Sequence, residues 1–308
     1  MIKVENLTKD YGSFKALRSI SFEVEKGAVF GFIGRNGAGK TTTMNILTGL
    51  MGFNSGKIMI DGKDLTRKTG ELSKYIGYLP EAPAFYEYMN AYEYLDFIAG
   101  LLNTGSRQNK ERIDELLEMV RLKKDARRKI GGYSRGMKQR LALAVAIFDR
   151  PPILFLDEPS SALDPEGRRE MLGLIEELKD KDITIFLSTH ILNDAERVCD
   201  TICIIDGGRI LLTESLEGLY KKHMHPVFDI EFESRPEQEI NMLKRLDWVK
   251  DVKTSGNRLS LEVNDMEKAK NMILKKLAGS ANSITSYQIR KMRLEDIFIG
   301  MVKDNADI

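Results

Sequence analysis

Residues 34–41 read Gly-Arg-Asn-Gly-Ala-Gly-Lys-Thr, and their order decides the fold. Gly, four residues, Gly, Lys, Thr is the spacing of a phosphate-binding loop. Ala28-Val29-Phe30-Gly31-Phe32-Ile33 precedes it as an apolar run of strand length. Thr42-Thr43-Met44-Asn45-Ile46-Leu47 follows it as the opening of a helix. In that strand–loop–helix setting, glycines allow a turn tight enough for successive backbone N–H groups to face one point. The helix N-terminus adds partial positive charge there. Lys40 can then reach the outer phosphates of a nucleotide, and Thr41 can offer its hydroxyl to Mg2+. The expected nucleotide contacts are therefore Gly34, Asn36, Gly37, Ala38, Gly39, Lys40, Thr41 and Thr42.

A second stretch completes the chemistry. Ile153-Leu154-Phe155-Leu156-Asp157-Glu158 is a buried strand ending in two acids. Such a strand carries Asp157 to its C-terminal edge, where open α/β sheets bind ligands. Asp157 can help hold Mg2+, and Glu158 can take a proton from an attacking water. Between the two stretches, Tyr133-Ser134-Arg135-Gly136-Met137-Lys138-Gln139-Arg140 opens a helix rich in Leu and Ala. Ser134 suits its N-cap, and Gly136 lets backbone approach a ligand.

The 308 residues suffice for one large domain and a smaller one. With 47 Lys+Arg against 46 Asp+Glu, bulk charge gives no support for a nucleic-acid partner. No run reaches the roughly 18 apolar residues that a transmembrane helix needs. Met-Ile-Lys-Val-Glu-Asn carries no apolar leader. Cys199 and Cys203 lie in or beside an apolar strand, and buried free thiols are expected there. A cytoplasmic setting is the expectation.

The pattern along the chain is α/β. Ile2–Glu5 and Ile20–Val24 alternate at period two, and Ile58-Met59-Ile60 runs into the turn signal Asp61-Gly62. Continuous apolar strands at 153–156, 183–187 and 202–205 alternate with helices, as in a parallel sheet covered on both faces. From about 88 to 150 the texture is helical. Ile113, Leu116, Leu117 and Val120 make one apolar face. Tyr94, Leu95, Phe97, Ile98, Leu101 and Leu102 make a broader one, expected mainly in the core. A linker is expected over 219–228, around Lys221-Lys222-His223-Met224-His225-Pro226. A small α+β domain follows over 229–304: strands near 228–232, 249–252, 259–263 and 283–289, helices near 237–246 and 266–277, and a short last helix at 294–302.

The order of phosphate loop, signature helix, Asp-Glu strand, Ser161-Ala162-Leu163-Asp164 and His190 resembles the ATP-binding subunit of ATP-binding cassette (ABC) transporters throughout residues 1–218. The resemblance implies a P-loop NTPase domain with an antiparallel β subdomain and a helical subdomain, binding ATP and Mg2+. It implies that Tyr11 stacks on adenine, that Glu81 with Thr41 and Asp157 serves Mg2+, and that His190 joins Lys40 and Glu158 in catalysis. It implies a second cassette chain, identical or paralogous, that is served in trans by Ser134 and Gly136. It also implies an integral membrane subunit and a place on the cytoplasmic face of the membrane. Tyr133-Ser134-Arg135-Gly136-Met137 varies the family's Leu-Ser-Gly-Gly-Gln, and Glu81 stands where Gln is usual, a form similar to that of exporter members. Arg293-Leu294-Glu295-Asp296-Ile297-Phe298 resembles a run that ends many exporter ATPases. The alternatives are a soluble cassette protein of translation or DNA repair, and an importer ATPase. The first expects tandem cassettes, a coiled coil or zinc-binding cysteines.

Overall fold

The computed structural model describes residues 2–64, 75–102, 106–223, 227–290, 294, 295 and 297. The chain divides into two compact units, Met1–Leu216 and Glu217–Ile308.

The first unit begins with β1 (Ile2–Tyr11) and β2 (Phe14–Val24), followed by β3 (Val29–Ile33) and α1 (Lys40–Leu47). β4 (Ser55–Ile60) and β5 (Lys63–Asp64) form the hairpin expected at Asp61-Gly62. β6 (Ile76–Leu79) leads to the helices α2 (Ala91–Leu101), α3 (Ser106–Met119) and α4 (Arg135–Ala146). Then come β7 (Ile153–Asp157), α5 (Pro165–Lys179), β8 (Thr184–Thr189), α6 (Leu192–Val198), β9 (Thr201–Asp206) and β10 (Arg209–Ser215).

Two sheets result. The antiparallel one has the order β2-β1-β4-β5; the other has the order β10-β9-β3-β8-β7-β6, parallel except for β10. β3, β7 and β8 are buried at every position, which is why they read as mainly apolar runs. β1 and β2 instead bury alternate residues over Ile2–Glu5 and Ile20–Val24. Phe22, Phe30, Phe32 and Phe186 pack with ring centroids 5.4–5.8 Å apart and join the two sheets in one core.

In the helical region Ile113, Leu116, Leu117 and Val120 are all buried, as their spacing requires. The broader apolar surface departs from expectation. α2 buries Ala91, Leu95 and Ala99, whereas Phe97, Leu101 and Leu102 are exposed. The small residues at i and i+8 bring α2 close to its neighbours, and the large ones are left on the outer side.

The second unit starts within α7 (Leu216–His223). The expected linker over 219–228 is corrected here: α7 runs through 223 and β11 (Val227–Phe232) begins at 227. Leu219 is fully buried, so this segment is anchored. Met224, His225 and Pro226 lie outside the described residues. Next are α8 (Glu237–Leu243), β12 (Val249–Ser255), β13 (Arg258–Val263), α9 (Met266–Leu277) and β14 (Ile284–Arg290). The sheet order is β12-β13-β11-β14, antiparallel throughout. Phe228, Ile230, Phe232, Leu259, Leu261, Val263, Ile273 and Leu277 form its core. Of the expected last helix at 294–302, Asp296 and 298–302 lie outside the described residues, as does Arg293 before it.

Candidate functional site

Strand order gathers the site. β3, β8, β7 and β6 are neighbours, and each releases a site residue at or just past its C-terminal end: Gly34, His190, Asp157 with Glu158, and Glu81. Ile33 pairs in register with Thr189, so Gly34 and His190 leave the sheet at the same level. This is the edge at which parallel α/β sheets bind ligands.

A cleft of about 600 Å³ lies there. Tyr11, Asn36, Gly37, Gly39, Lys40, Thr41, Thr42, Glu81, Glu158 and His190 line it, as expected from sequence. Gly37 (φ 82°) and Gly39 (φ 112°) adopt backbone that an L side chain rarely tolerates, and a Cβ on Gly39 would stand 3.0 Å from the Ala16 carbonyl. Gly39 is the N-cap of α1 and has no side chain to satisfy the first N–H groups of the helix. Those groups therefore remain for a ligand anion. Gly34 and Ala38 are buried beneath the loop, and the Ala38 N–H donates to the Arg35 carbonyl at 3.1 Å.

Lys40 is 6% exposed. Its Nζ donates to the Gly34 carbonyl at 2.9 Å and stands 3.3 Å from Glu158 Oε1. Glu158 Oε2 lies 2.8 Å from His190 Nδ1 and accepts the His190 backbone N–H at 3.4 Å. One carboxylate thus joins the loop lysine to the histidine of a different strand.

Glu158 holds φ 48°, a left-handed conformation that costs about 1–3 kcal/mol for a residue with a side chain. Its N–H donates to the Ser188 carbonyl and its C=O accepts from Ser161, both at 3.0 Å, which fixes the bend. The bend turns the Glu158 side chain into the cleft, while Asp157 remains in register with Ser188 in the sheet.

Asp157 is 2% exposed and accepts from Ser188 Oγ at 2.6 Å. Burial pushes its carboxyl above the usual range; the Ser188 hydrogen bond opposes this, and the nearby Glu158 and Glu81 carboxylates reinforce it. Tyr78, on the same edge, is pushed up to about 12 by burial and then by Asp157 and Glu81. Thr41, Asp157 and Glu81 supply hydroxyl and carboxylate oxygens, the donor set of a hard cation. Among the described residues no group of three or more His, Cys, Asp and Glu side chains could hold a metal by itself.

Ser134 and Gly136 are not brought into this cleft. They head α4, where Ser134 Oγ accepts the Met137 N–H at 3.2 Å. Cys199 and Cys203 are buried and their thiols are pushed up by burial, so they remain neutral. Some residues at the site had no role assigned from sequence, Ala16 of the cleft lining among them. Phe14, 60% exposed, is the cross-strand partner of Tyr11 and lines the cleft beside it. Its signal was the two-residue turn Gly12-Ser13, which places 11 and 14 opposite each other. Ser161 lines the cleft through the bend at Glu158. Ser188 was hidden because its role is set by register with Asp157.

The fold and the cleft define a P-loop nucleoside triphosphatase with a second, α+β unit. The sequence pattern of the ABC transporter family matches residues 17–161, and that of the "ATP-binding protein DrrA1-3-like, C-terminal domain" matches 215–302. The chain is 38% identical to the uncharacterized ABC transporter ATP-binding protein YxlF of Bacillus subtilis, over 98% of this chain and 99% of that one. It is 41% identical to the bacitracin transport ATP-binding protein BcrA of Bacillus licheniformis, over 72% of each. A solved dimer of MJ0796, a bacterial ABC transporter cassette, superposes with a TM-score of 0.65 at 27% identity, covering 70% of this chain and 99% of that one. This chain belongs to the ATP-binding subunits of ABC transporters, and as such it is a nucleotide-binding ATPase.

Proposed function

We propose that the chain hydrolyses ATP in the cleft at 34–42 and drives export through a separate membrane subunit. The observation that carries the catalytic part is the Lys40–Glu158–His190 contact at the sheet edge. Tyr11, with Phe14 across the hairpin, takes the adenine by stacking. The loop N–H groups of 34–42 and Lys40 hold the phosphates and stabilise charge on the transferred phosphoryl group. Glu158 accepts the proton of the attacking water, and His190 orients Glu158 through Nδ1. Thr41, Asp157 and Glu81 would hold Mg2+, whose chemistry is to neutralise charge on the phosphates.

Two chains pair head to tail. Ser134 and Gly136 lie outside their own cleft at the head of α4, as residues serving a partner's nucleotide must. The cassette likeness to a dimeric structure supports the pairing. Among the described residues no helix is long and apolar enough to cross a membrane, so the conduit belongs to another subunit. That subunit docks near Glu81 and the segment 85–94, where Tyr86 and Tyr88 are exposed and Phe85, Tyr86, Tyr94 and Phe97 form one aromatic cluster. The protein then sits on the cytoplasmic face of the membrane. Export rather than import is favoured by the Leu79-Pro80-Glu81 form and the second unit, and a transported antibiotic by the bacitracin relative.

The test is Glu158→Gln, assayed for phosphate release and for ATP binding. Turnover should fall about 100- to 10,000-fold with binding kept. Near-normal turnover would sink the general-base assignment.

A further inference from the structure

Gln139 lies on α4, five residues past the capping Ser134, and is 1% exposed. Its Nε2 donates to the backbone carbonyl of Glu81 at 2.8 Å. Its Oε1 is buried and has no hydrogen-bond partner among the described residues. A buried acceptor left unpaired is destabilising, and an apolar side chain of similar size would avoid that cost. Stability alone therefore does not account for an amide at this position.

Connectivity does account for it. Glu81 follows β6 and lines the nucleotide cleft, whereas α4 presents Ser134 and Gly136 at its head, away from that cleft. The Gln139 amide gives α4 a hydrogen bond to the Glu81 turn. We propose that Gln139 is a positioning residue that ties the Glu81 turn to α4, so that occupancy of one cleft sets the placement of the signature residues serving the other. The inference rests on the proposed ATP site and head-to-tail pairing. A displacement of the Glu81 turn by bound nucleotide pulls on its carbonyl, and through the amide on α4. The unpaired Oε1 leaves the amide an acceptor with which to hold a second arrangement.

The experiment compares Gln139→Leu and Gln139→Glu in the full chain with the wild type. It reads melting temperature, dissociation constant for a fluorescent ATP analogue, and steady-state kcat and KM. Leu removes donor and acceptor; Glu keeps the size and, when ionised, cannot donate to a carbonyl. The expected result is that both variants bind nucleotide like the wild type. Gln139→Leu melts no lower than the wild type, and kcat falls at least about tenfold in both, as misplacement of a reacting constellation requires. Turnover within about twofold of the wild type in either folded variant would overturn the proposal. So would weakening of nucleotide binding in step with turnover, which would make Gln139 a shaper of its own cleft. Unfolding of both variants would likewise overturn it, as a purely structural role. Wild-type binding and turnover in the same assay test the ATP site itself, so failure of that reading shows in the wild type and failure of the link only in the variants.

Discussion

Asp157 is buried, hydrogen-bonded by Ser188, and held above the ordinary carboxylate range. An acid with a higher pKa in the folded chain binds more protons folded than unfolded. Its contribution is absent at pH below its unfolded pKa, and it destabilises the fold progressively as pH rises past that value. Asp157→Asn keeps an acceptor for Ser188 and removes the charge. Without nucleotide or Mg2+, the Asn variant should melt above the wild type at pH 7, with the gap closing as pH falls below the ordinary carboxylate range. Thermal melts across that range decide it; a wild type that melts higher at pH 7 would contradict the assignment. ATP hydrolysis should be lost in the same variant. The adjoining Glu158 bears the strained φ 48° and the contacts to Lys40 and His190. The position of these residues was legible because Asp-Glu ends an apolar strand. The bend that sends two successive carboxylates to different places was not, since it depends on Ser188 from another strand.

At the scale of elements, the mainly apolar runs of β3, β7 and β8 and the loop before α1 could be read directly, because strands buried on both faces are dominated by apolar residues. β6 could not. It is four residues long and contains Gly77, and its strand character comes from pairing with β7. Gly77 is there for packing. A Cβ on it would meet the Ala146 carbonyl at 2.1 Å and Pro151 Cγ at 2.9 Å. Gly77→Ala must therefore push α4 from the sheet edge. We expect a loss of about 1–3 kcal/mol in chemical denaturation; an unchanged midpoint would show that β6 and α4 are not in close contact. The burial of α2 was misjudged for a related reason. Which of its faces is covered depends on how closely Ala91 and Ala99 admit their neighbours, and the larger Phe97 and Leu101 stay outside. The linker was misjudged because Lys221-Lys222-His223 reads as polar, while Leu219 upstream is fully buried and anchors α7.

At the scale of the whole molecule, one sheet order explains why residues from 34 to 190 meet in a single cleft. Placing β3 beside β8, and β7 beside β6, brings the ends of four strands to one edge. The same order leaves Ser134 and Gly136 outside the cleft, at the head of α4. On the proposed reading, the cleft of one chain holds a phosphate loop, a general base and a histidine, and its signature residues serve a second cassette chain. On that proposal ATP is part of the interface, so it should stabilise the pair by mass action and release it after hydrolysis. The central claim is this shared site, and its most direct measurement is the molar mass of Glu158→Gln by light scattering with saturating ATP and Mg2+. The account predicts twice the mass of the chain with ATP and a single chain with ADP; a single chain at saturating ATP would contradict it.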